Sequence, residues 1–582
     1  MLTVWAAVAV SLPGQHDLDR LAKAAVAAGG TAVLALLLAR FRQSLPVLGR
    51  SPALRLLLAF SLLTLLLPLF VVRDGLGHGL SWLTFAVGPL FGAGVALLGR
   101  RAGQVLRRAA FAAVPCAVFA IGQQLMGHGP AEIRATTSMA NPNQTAAITL
   151  FGAVVLAALA SQGGAPGRWL AAGATLAFLG TVATASKAGI VAVISGVALL
   201  PMAHLLAQLA FRRWLAFFLA LALLPPFLAV IAGAGNPIVQ KAGLEGRFLL
   251  WAGALEQPVA SWWSGSGFGL WQPSLVETAA ARIRETGAEP LLQLPQYLYN
   301  DVLQLACEAG LVPAGLLVAV LALLATAGLR SREPPARAAA LALPALFLFG
   351  LAQSPMANPA ASLLLWTCLG TIAGVRGEEL AGATRGTVSR LGLIALLLGA
   401  CLLGLQAVRL ASGMAMILQS RGGLPRPEGS SSADRALLAA RLLPEYASAW
   451  LSAADLLEMA RRFAEAKGCL QRALSLERSF PALFRQGYLV ERLEGDAAAR
   501  AFWQSLAETY PWLLTPHYRL ALLDRRRGYP GEALEHCRQA LALPALSPEQ
   551  TRVRETCQRL ADQLGAQLKA VAGRQPPPPD SP

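Results

Sequence analysis

Four stretches of this 582-residue chain set polar side chains at the edges of long apolar runs. The first, TTSMANPNQTAA at 136–147, places Asn141 and Asn143 on either side of a proline. Asn-Pro-Asn favours a turn, and Asn143 is expected to cap a helix starting near Gln144. The second, TASKAGI at 184–190, holds Lys187 between two apolar runs, where the plainest role for a lysine is to snorkel toward water. The third, GRFLLWAGALEQPVASWWSGSGFGLW at 246–271, has Arg247 and Trp251 four apart, so they share a face if that stretch is helical. Its Gly265, Gly267 and Gly269 look like a phosphate loop, but no strand precedes them and no Lys follows, so a turn at the membrane edge is expected. The fourth, YLYNDVLQLACEAGLVP at 297–313, sets Asn300, Asp301 and Glu308 at the mouth of the next apolar run, with Gly310 able to break the helix.

Other chemistries are poorly represented. The chain has no Walker loop, no GxSxG and no HExxH. Its seven cysteines include no CxxC, and no Cys/His set has metal-ligand spacing. Most of them read as small buried hydrophobes; Cys537 and Cys557 are close if their helices form a hairpin.

The elements that must position these groups are membrane helices. The chain is 55% hydrophobic and 14% charged, with mean hydropathy +0.52, whereas soluble domains run near a quarter charged. So apolar a chain cannot cover itself with polar surface, and a bilayer must solvate much of it. Windows of about 20 apolar residues fall near 22–40, 53–72, 79–99, 109–127, 144–161, 169–185, 188–205, 214–234, 310–329, 338–356, 360–375 and 391–411. Residues 1–13 are either a thirteenth span or an interfacial helix. They lack a basic start, so a cleaved signal peptide is not expected. The fold class is therefore all-α, a bundle of 12–13 spans over 1–411.

The net charge of +17 comes largely from arginines clustered in short connections between spans, which argues against nucleic acid and for anionic membrane lipid as the partner. Arg40, Arg42, Arg50 and Arg55 share one connection; Arg100, Arg101, Arg107 and Arg108 lie two connections later. Arg168, then Arg212 and Arg213, then Arg330, Arg332 and Arg337, then Arg376, Arg385 and Arg390 follow at every second connection. The alternation assigns these connections to the cytoplasm and the four polar stretches to the outside, including a large loop at 235–309.

Residues 412–432, with paired glycines, prolines and a serine run, read as a linker. From 433 to 570 a helical pattern repeats: Trp450, Phe484 and His517 start units at intervals of 34 and 33 residues. A small residue follows in each (Ala466, Ala498, Ala533), with Leu470, Phe502 or Cys537 four later. Period and pattern resemble tetratricopeptide repeats, whose stacked hairpins leave a concave binding face. Residues 571–582 read as a disordered proline-rich tail.

The four polar stretches, in this order, resemble the O-antigen ligase, polymerase and O-oligosaccharyltransferase family of bacterial inner membranes. Met139-Ala140-Asn141-Pro142-Asn143 is similar to the family's Gly-Asn-Pro-Asn turn, and Ser186-Lys187-Ala188 to its Ser-Arg-Gly motif. Arg247, Trp251, Gly265, Gly267 and Gly269 correspond to its Arg, Trp and Gly-x-Gly, and Asn300, Leu303, Glu308, Ala309 and Gly310 to the closing frame of its large loop. The family's His before that Asn is Tyr299 here, and no His occurs in the loop. With a reference pKa near 10, a tyrosine is a poor general base at neutral pH. Tyr299 can hydrogen-bond acceptor or phosphate, another group such as His128 or Glu308 can act instead, or the chain binds a lipid-linked glycan without this chemistry.

The resemblance implies glycosyl transfer, without metal or other cofactor, from an undecaprenyl-diphosphate-linked glycan to an acceptor on the periplasmic face. Cations must then stabilise charge on the departing diphosphate. Arg247 and Lys187 are the candidates, with Arg134 in reserve. Tyr299, Asn300 and Glu308 are the candidates to orient or deprotonate the acceptor hydroxyl. Asn141, Asn143, Trp251, Gly267 and Gly269 complete the expected binding set. The repeats are expected to hold the acceptor or an envelope protein partner. Protein O-glycosylation and a non-enzymatic scaffold for an envelope polysaccharide complex are the competing readings.

Overall fold

The computed structural model describes residues 16–40, 59–64, 79–126, 142–162, 167–232, 245–256, 259–268, 271–286, 298–381, 390–422, 431–543 and 548–572, together with residues 3, 6, 7 and 57. Among these every regular element is helical and no strand occurs. In chain order the helices are α1 (His16–Arg40), α2 (Gly79–Ala96), α3 (Ala102–Phe111), α4 (Ala113–Leu125), α5 (Pro142–Ala160), α6 (Gly167–Ala183), α7 (Lys187–Ala198), α8 (Ala203–Ala207) and α9 (Phe211–Ala232). Then come α10 (Glu245–Leu255), α11 (Val259–Ser264), α12 (Trp271–Thr286), α13 (Asp301–Ala309), α14 (Leu311–Leu329), α15 (Pro334–Gly350), α16 (Pro359–Ala381), α17 (Arg390–Ser420) and α18 (Ser432–Leu442). The last seven are α19 (Ala447–Met459), α20 (Phe463–Leu476), α21 (Phe480–Glu494), α22 (Asp496–Thr509), α23 (Leu514–Arg526), α24 (Pro530–Ala542) and α25 (Pro548–Ala572).

They form two compact units. The first comprises Met1–Ile231, Ala254–Trp271 and Tyr297–Tyr446; the second comprises Ala232–Gly253, Gln272–Gln296 and Ala447–Pro582.

The first unit is an apolar bundle. Among the described residues six helical stretches are long and apolar enough to cross a membrane: Gly99–Leu125, Pro142–Ala160, Phe211–Ile231, Leu311–Leu329, Pro359–Glu379 and Leu397–Ser420. Their outer faces carry large apolar side chains, among them Leu223, Phe227, Val230 and Ile231 on α9 and Leu405 and Val408 on α17. Such a belt is costly in water and ordinary against lipid. Without a hydrophobic drive between helices in lipid, small residues must bring the backbones together. At the α2–α16 crossing, Gly88 and Gly92 lie against the buried Trp366, and Gly370 and Gly374 lie against the Gly92 and Ala96 carbonyls. A Cβ on Gly370 would lie 2.3 Å from the Gly92 carbonyl oxygen, so only glycine allows this approach.

Several of the arginine-bearing connections meet at one end of this bundle. At one end, the Arg100 amide donates to Glu378 at 2.7 Å, and its guanidinium pairs with Glu333 at 3.3 Å. Glu379 accepts from Ser331 Oγ at 2.7 Å, from the Arg332 amide at 2.9 Å and from Arg376 at 2.6 Å. Arg330 donates to the carbonyls of Ala207 and Leu209. The ends of α3, α8, α14, α15 and α16 thus share one arginine-rich layer.

Residues 412–420, expected in the linker, instead continue α17. The Leu443 side chain sits over Gly413, and Arg409 pairs with the buried Glu445. That buried ion pair keeps α18 with the bundle, and the C-terminal part of the second unit starts at Ala447.

In the second unit, α19 to α24 pack as successive pairs, followed by α25. The small-into-large seam is buried in the first and third pairs where expected, at Ala466 and Leu470 and at Ala533 and Cys537. In the middle pair it lies one residue on: Ala499 and Trp503 are buried, whereas Ala498 and Phe502 are half-buried. The cause is Gly487 on α21, whose missing side chain leaves room for the Trp503 indole. Cys537 and Cys557 are neighbours, the Cys557 thiol lying 3.7 Å from the Cys537 carbonyl oxygen inside one apolar core.

Candidate functional site

The end of the first unit opposite the arginine layer is also polar, but it is built from amides, hydroxyls and carboxyls. Its hub is α13. Tyr299 takes positive φ, +54°, which turns the chain into the helix. Asn300 then caps it, Oδ1 accepting the Leu303 amide at 3.0 Å. The Asn300 side chain is fully buried, and its Nδ2 has no hydrogen-bond partner among the described residues. Helical spacing puts Asp301, Gln304 and Glu308 on one face.

Each of those three reaches a different element. Glu308 Oε1 accepts the Trp271 indole N–H at 3.0 Å and the Gln304 side-chain amide at 3.3 Å. Gln304 Oε1 accepts from Ser354 Oγ at 3.3 Å, and Asp301 accepts the Met356 amide at 3.3 Å. All three side chains are buried. Burial holds the Asp301 carboxyl well above the usual carboxylate range; the Met356 N–H opposes this and the nearby Glu308 charge adds to it. Asp301 also contributes the one carboxyl to an otherwise apolar cavity lined by Ala147, Leu317, Leu346, Phe347 and Met356. Burial, with Glu308 beside it, pushes the Cys307 thiol up to about 12, so it supplies no thiolate at neutral pH.

The glycine turn expected at 265–269 packs on this helix as far as Phe268. The Ser266 amide donates to the Cys307 carbonyl at 2.7 Å and the Gly267 amide to the Glu308 carbonyl at 3.1 Å. Gly265 has φ +75°, and a Cβ there would stand 2.2 Å from the Glu308 carbonyl oxygen. Gly310, at φ +94°, ends α13, and a Cβ there would stand 2.3 Å from the Trp263 carbonyl oxygen. The glycines therefore serve backbone-to-backbone contact.

Two further motifs join through side chains. Pro142 opens α5, so Asn143 lies within its first turn and not ahead of it as a cap. Its Oδ1 accepts from Ser186 Oγ at 2.9 Å, while Ser186 caps α7 by accepting the Gly189 amide at 3.3 Å. The next residue of α5, Gln144, accepts from the Asn358 side chain at 2.7 Å, and Asn358 caps α16. Lys187 follows the Ser186 cap, exposed, in the first turn of α7.

Arg247 and Trp251 stand on α10, in the second unit, one helical turn apart as the spacing predicts. Arg247 is half-buried, and the buried Trp251 ring lies 5.5 Å from that of Phe248. Arg134, Asn141, Gly269, Tyr297 and His128 lie outside the described residues.

The first unit thus gathers Asn143, Lys187, Gly267, Tyr299, Asn300 and Glu308 onto adjoining elements. Ser186, already part of the Ser186-Lys187-Ala188 motif, and Gln144, Gln304, Ser354 and Asn358, which were not candidate site residues, tie these elements together. Gln304 was legible, being four residues before Glu308 on a helix; Asn358 was legible as an Asn before a helical run. Nothing in the sequence joins Ser354 to Gln304. Among the described residues no group of three or more His, Cys, Asp or Glu is placed to hold a metal ion. No family model and no curated protein matches the chain.

Proposed function

We propose that the chain transfers a glycan from an undecaprenyl diphosphate carrier to an acceptor at the outer face of a bacterial inner membrane. The observation that carries this reading is the convergence just described: segments that resemble family motifs are hydrogen-bonded in two pairs, Asn143 to Ser186 and the 265–267 turn to α13, and residues 354–358 link the pairs through Gln144 and Gln304 at one end of an apolar bundle. The positive-inside rule assigns the opposite, arginine-rich end to the cytoplasm. In this reading the full bundle has 12–13 spans, and the large loop and the tetratricopeptide-like repeats are periplasmic.

The roles follow from chemistry. Departure of the lipid diphosphate concentrates negative charge that a fixed cation must meet. Arg247 offers bidentate contact to phosphate oxygens, and Lys187 a mobile point charge. The buried Asn300 Nδ2 supplies a hydrogen-bond donor not consumed by the fold. Tyr299 stands next to it in the position where the family carries His and orients the acceptor hydroxyl. Glu308, fully buried with two N–H donors on one oxygen, holds Trp271 and Gln304 in place.

Replacing Arg247 with Ala is expected to abolish glycan transfer, at least about a hundredfold for a lost transition-state charge contact, with membrane insertion unchanged. Normal transfer by that variant removes Arg247 from the mechanism. Surface glycans of a deletion strain identify the acceptor: shortened chains mean polymerisation, polymer missing from the lipid core means ligation, and unmodified protein means protein glycosylation.

A further inference from the structure

The second unit contains a clasp between parts of the chain 206 residues apart. Gln272, in the first turn of α12, is buried, and its side-chain amide pairs with the backbone of Arg478. Gln272 Nε2 donates to the Arg478 carbonyl at 3.1 Å, and the Arg478 amide donates back to Gln272 Oε1 at 2.8 Å. Both hydrogen-bonding ends of the glutamine are used, as in one rung of a sheet. Arg478 lies in the connection between α20 and α21, inside the repeat pattern. The α12 helix is tied down further by a buried apolar stripe of Leu275, Val276, Ala280 and Ile283. The α10 helix, which carries Arg247, faces α12 at Gly253, where an added Cβ would stand in ordinary van der Waals contact with Leu275 and Thr278.

We infer that Gln272 is a positioning residue for Arg247: by clasping Arg478 it makes α12 and α10 part of the repeat body, so the repeats set where the Arg247 guanidinium stands. The importance of that guanidinium rests on the transferase reading; the clasp itself does not. A repeat array so joined to the loop couples what it binds to the placement of the cation.

The test uses the full-length protein in lipid nanodiscs. Gln272→Met keeps the side-chain volume and removes both hydrogen bonds; Gln272→Glu keeps only the bond from the Arg478 amide. Hydrogen exchange by mass spectrometry follows residues 245–286 and 478–483, with residues 334–350 of the first unit as the internal control. Exchange in α10, α12 and the start of α21 is expected to rise together, about tenfold in Gln272→Met for two lost neutral hydrogen bonds and less in Gln272→Glu, with the control unchanged. Glycan transfer should fall alongside although Arg247 is intact. If exchange in α10 and α12 stays at the wild-type level in Gln272→Met, the inference is overturned whatever transfer does. If exchange rises and Arg247→Ala still transfers glycan normally, the clasp stands and only the transferase reading falls.

Discussion

At the scale of single residues, the polar layer depends on groups that cannot be traded cheaply. Glu308 satisfies a buried indole and a buried amide with one oxygen. Removing it leaves both donors unpaired, at about 1–3 kcal/mol each. Glu308→Ala should therefore lower stability by about 2–5 kcal/mol, whereas Glu308→Gln keeps one acceptor and should lose less than half of that. Thermal unfolding followed by tryptophan fluorescence in detergent distinguishes the two; equal losses would show that Glu308 matters only as bulk. Asp301 makes the complementary case through pH. Its carboxyl is held above the unfolded value of about 3.9, so the folded state binds its proton more tightly than the unfolded one. Its contribution is most favourable below that unfolded value and is lost as pH rises through the folded one. Asp301→Asn mimics the neutral acid and can still accept the Met356 amide. The variant should show a flatter decline of melting temperature from pH 4 to pH 8 than wild type. A steeper decline in the variant would mean that the charged form is the one the fold favours.

At the scale of elements, most of what the sequence predicted was periodicity, and most of what it missed was partnership. Apolar windows located the helices of the first unit, since a 20-residue apolar run has few other uses. The Asn300 cap position and the helix break at Gly310 were also legible, because local conformation dictates both. The continuation of α17 through 412–420 was not: glycines and prolines farther along suggested a linker, while burial of the distant Glu445 against Arg409 decided the boundary. In the helical pairs of the second unit the middle seam lies one residue from where the interval alone places it, because it follows the void over Gly487. The helix crossing of α2 with α16 shows how severe such packing is. Gly370→Ala places a methyl 2.3 Å from the Gly92 carbonyl oxygen. The helices must part, at about 1–3 kcal/mol for overpacking. A melting temperature within error of wild type would show that this crossing opens freely.

At the scale of the whole molecule, the proposed transfer requires that the amide and carboxyl layer face the compartment where a lipid-linked glycan is used. The described hydrogen bonds fix which connections share an end: residues 100, 330–333 and 376–379 at one, residues 143, 186, 304 and 354–358 at the other. In the proposed function arginine bias sets the direction, since cationic connections are retained on the cytoplasmic side. The native cysteines leave a clean background for testing it. Six of the seven are buried, and the exposed Cys401 lies within an apolar stretch of α17 long enough to cross a membrane. Ser161, exposed just after α5, marks the arginine-rich end; Ser264, exposed at the end of α11, marks the other. A membrane-impermeant maleimide added to intact spheroplasts should label Ser264→Cys and leave Ser161→Cys unmodified until the membrane is permeabilised. The reverse pattern would put Asn300, Glu308 and the glycine turn in the cytosol, away from any periplasmic acceptor. No choice of catalytic residue could then rescue the transferase reading, because the groups would be on the wrong side of the barrier that defines the reaction.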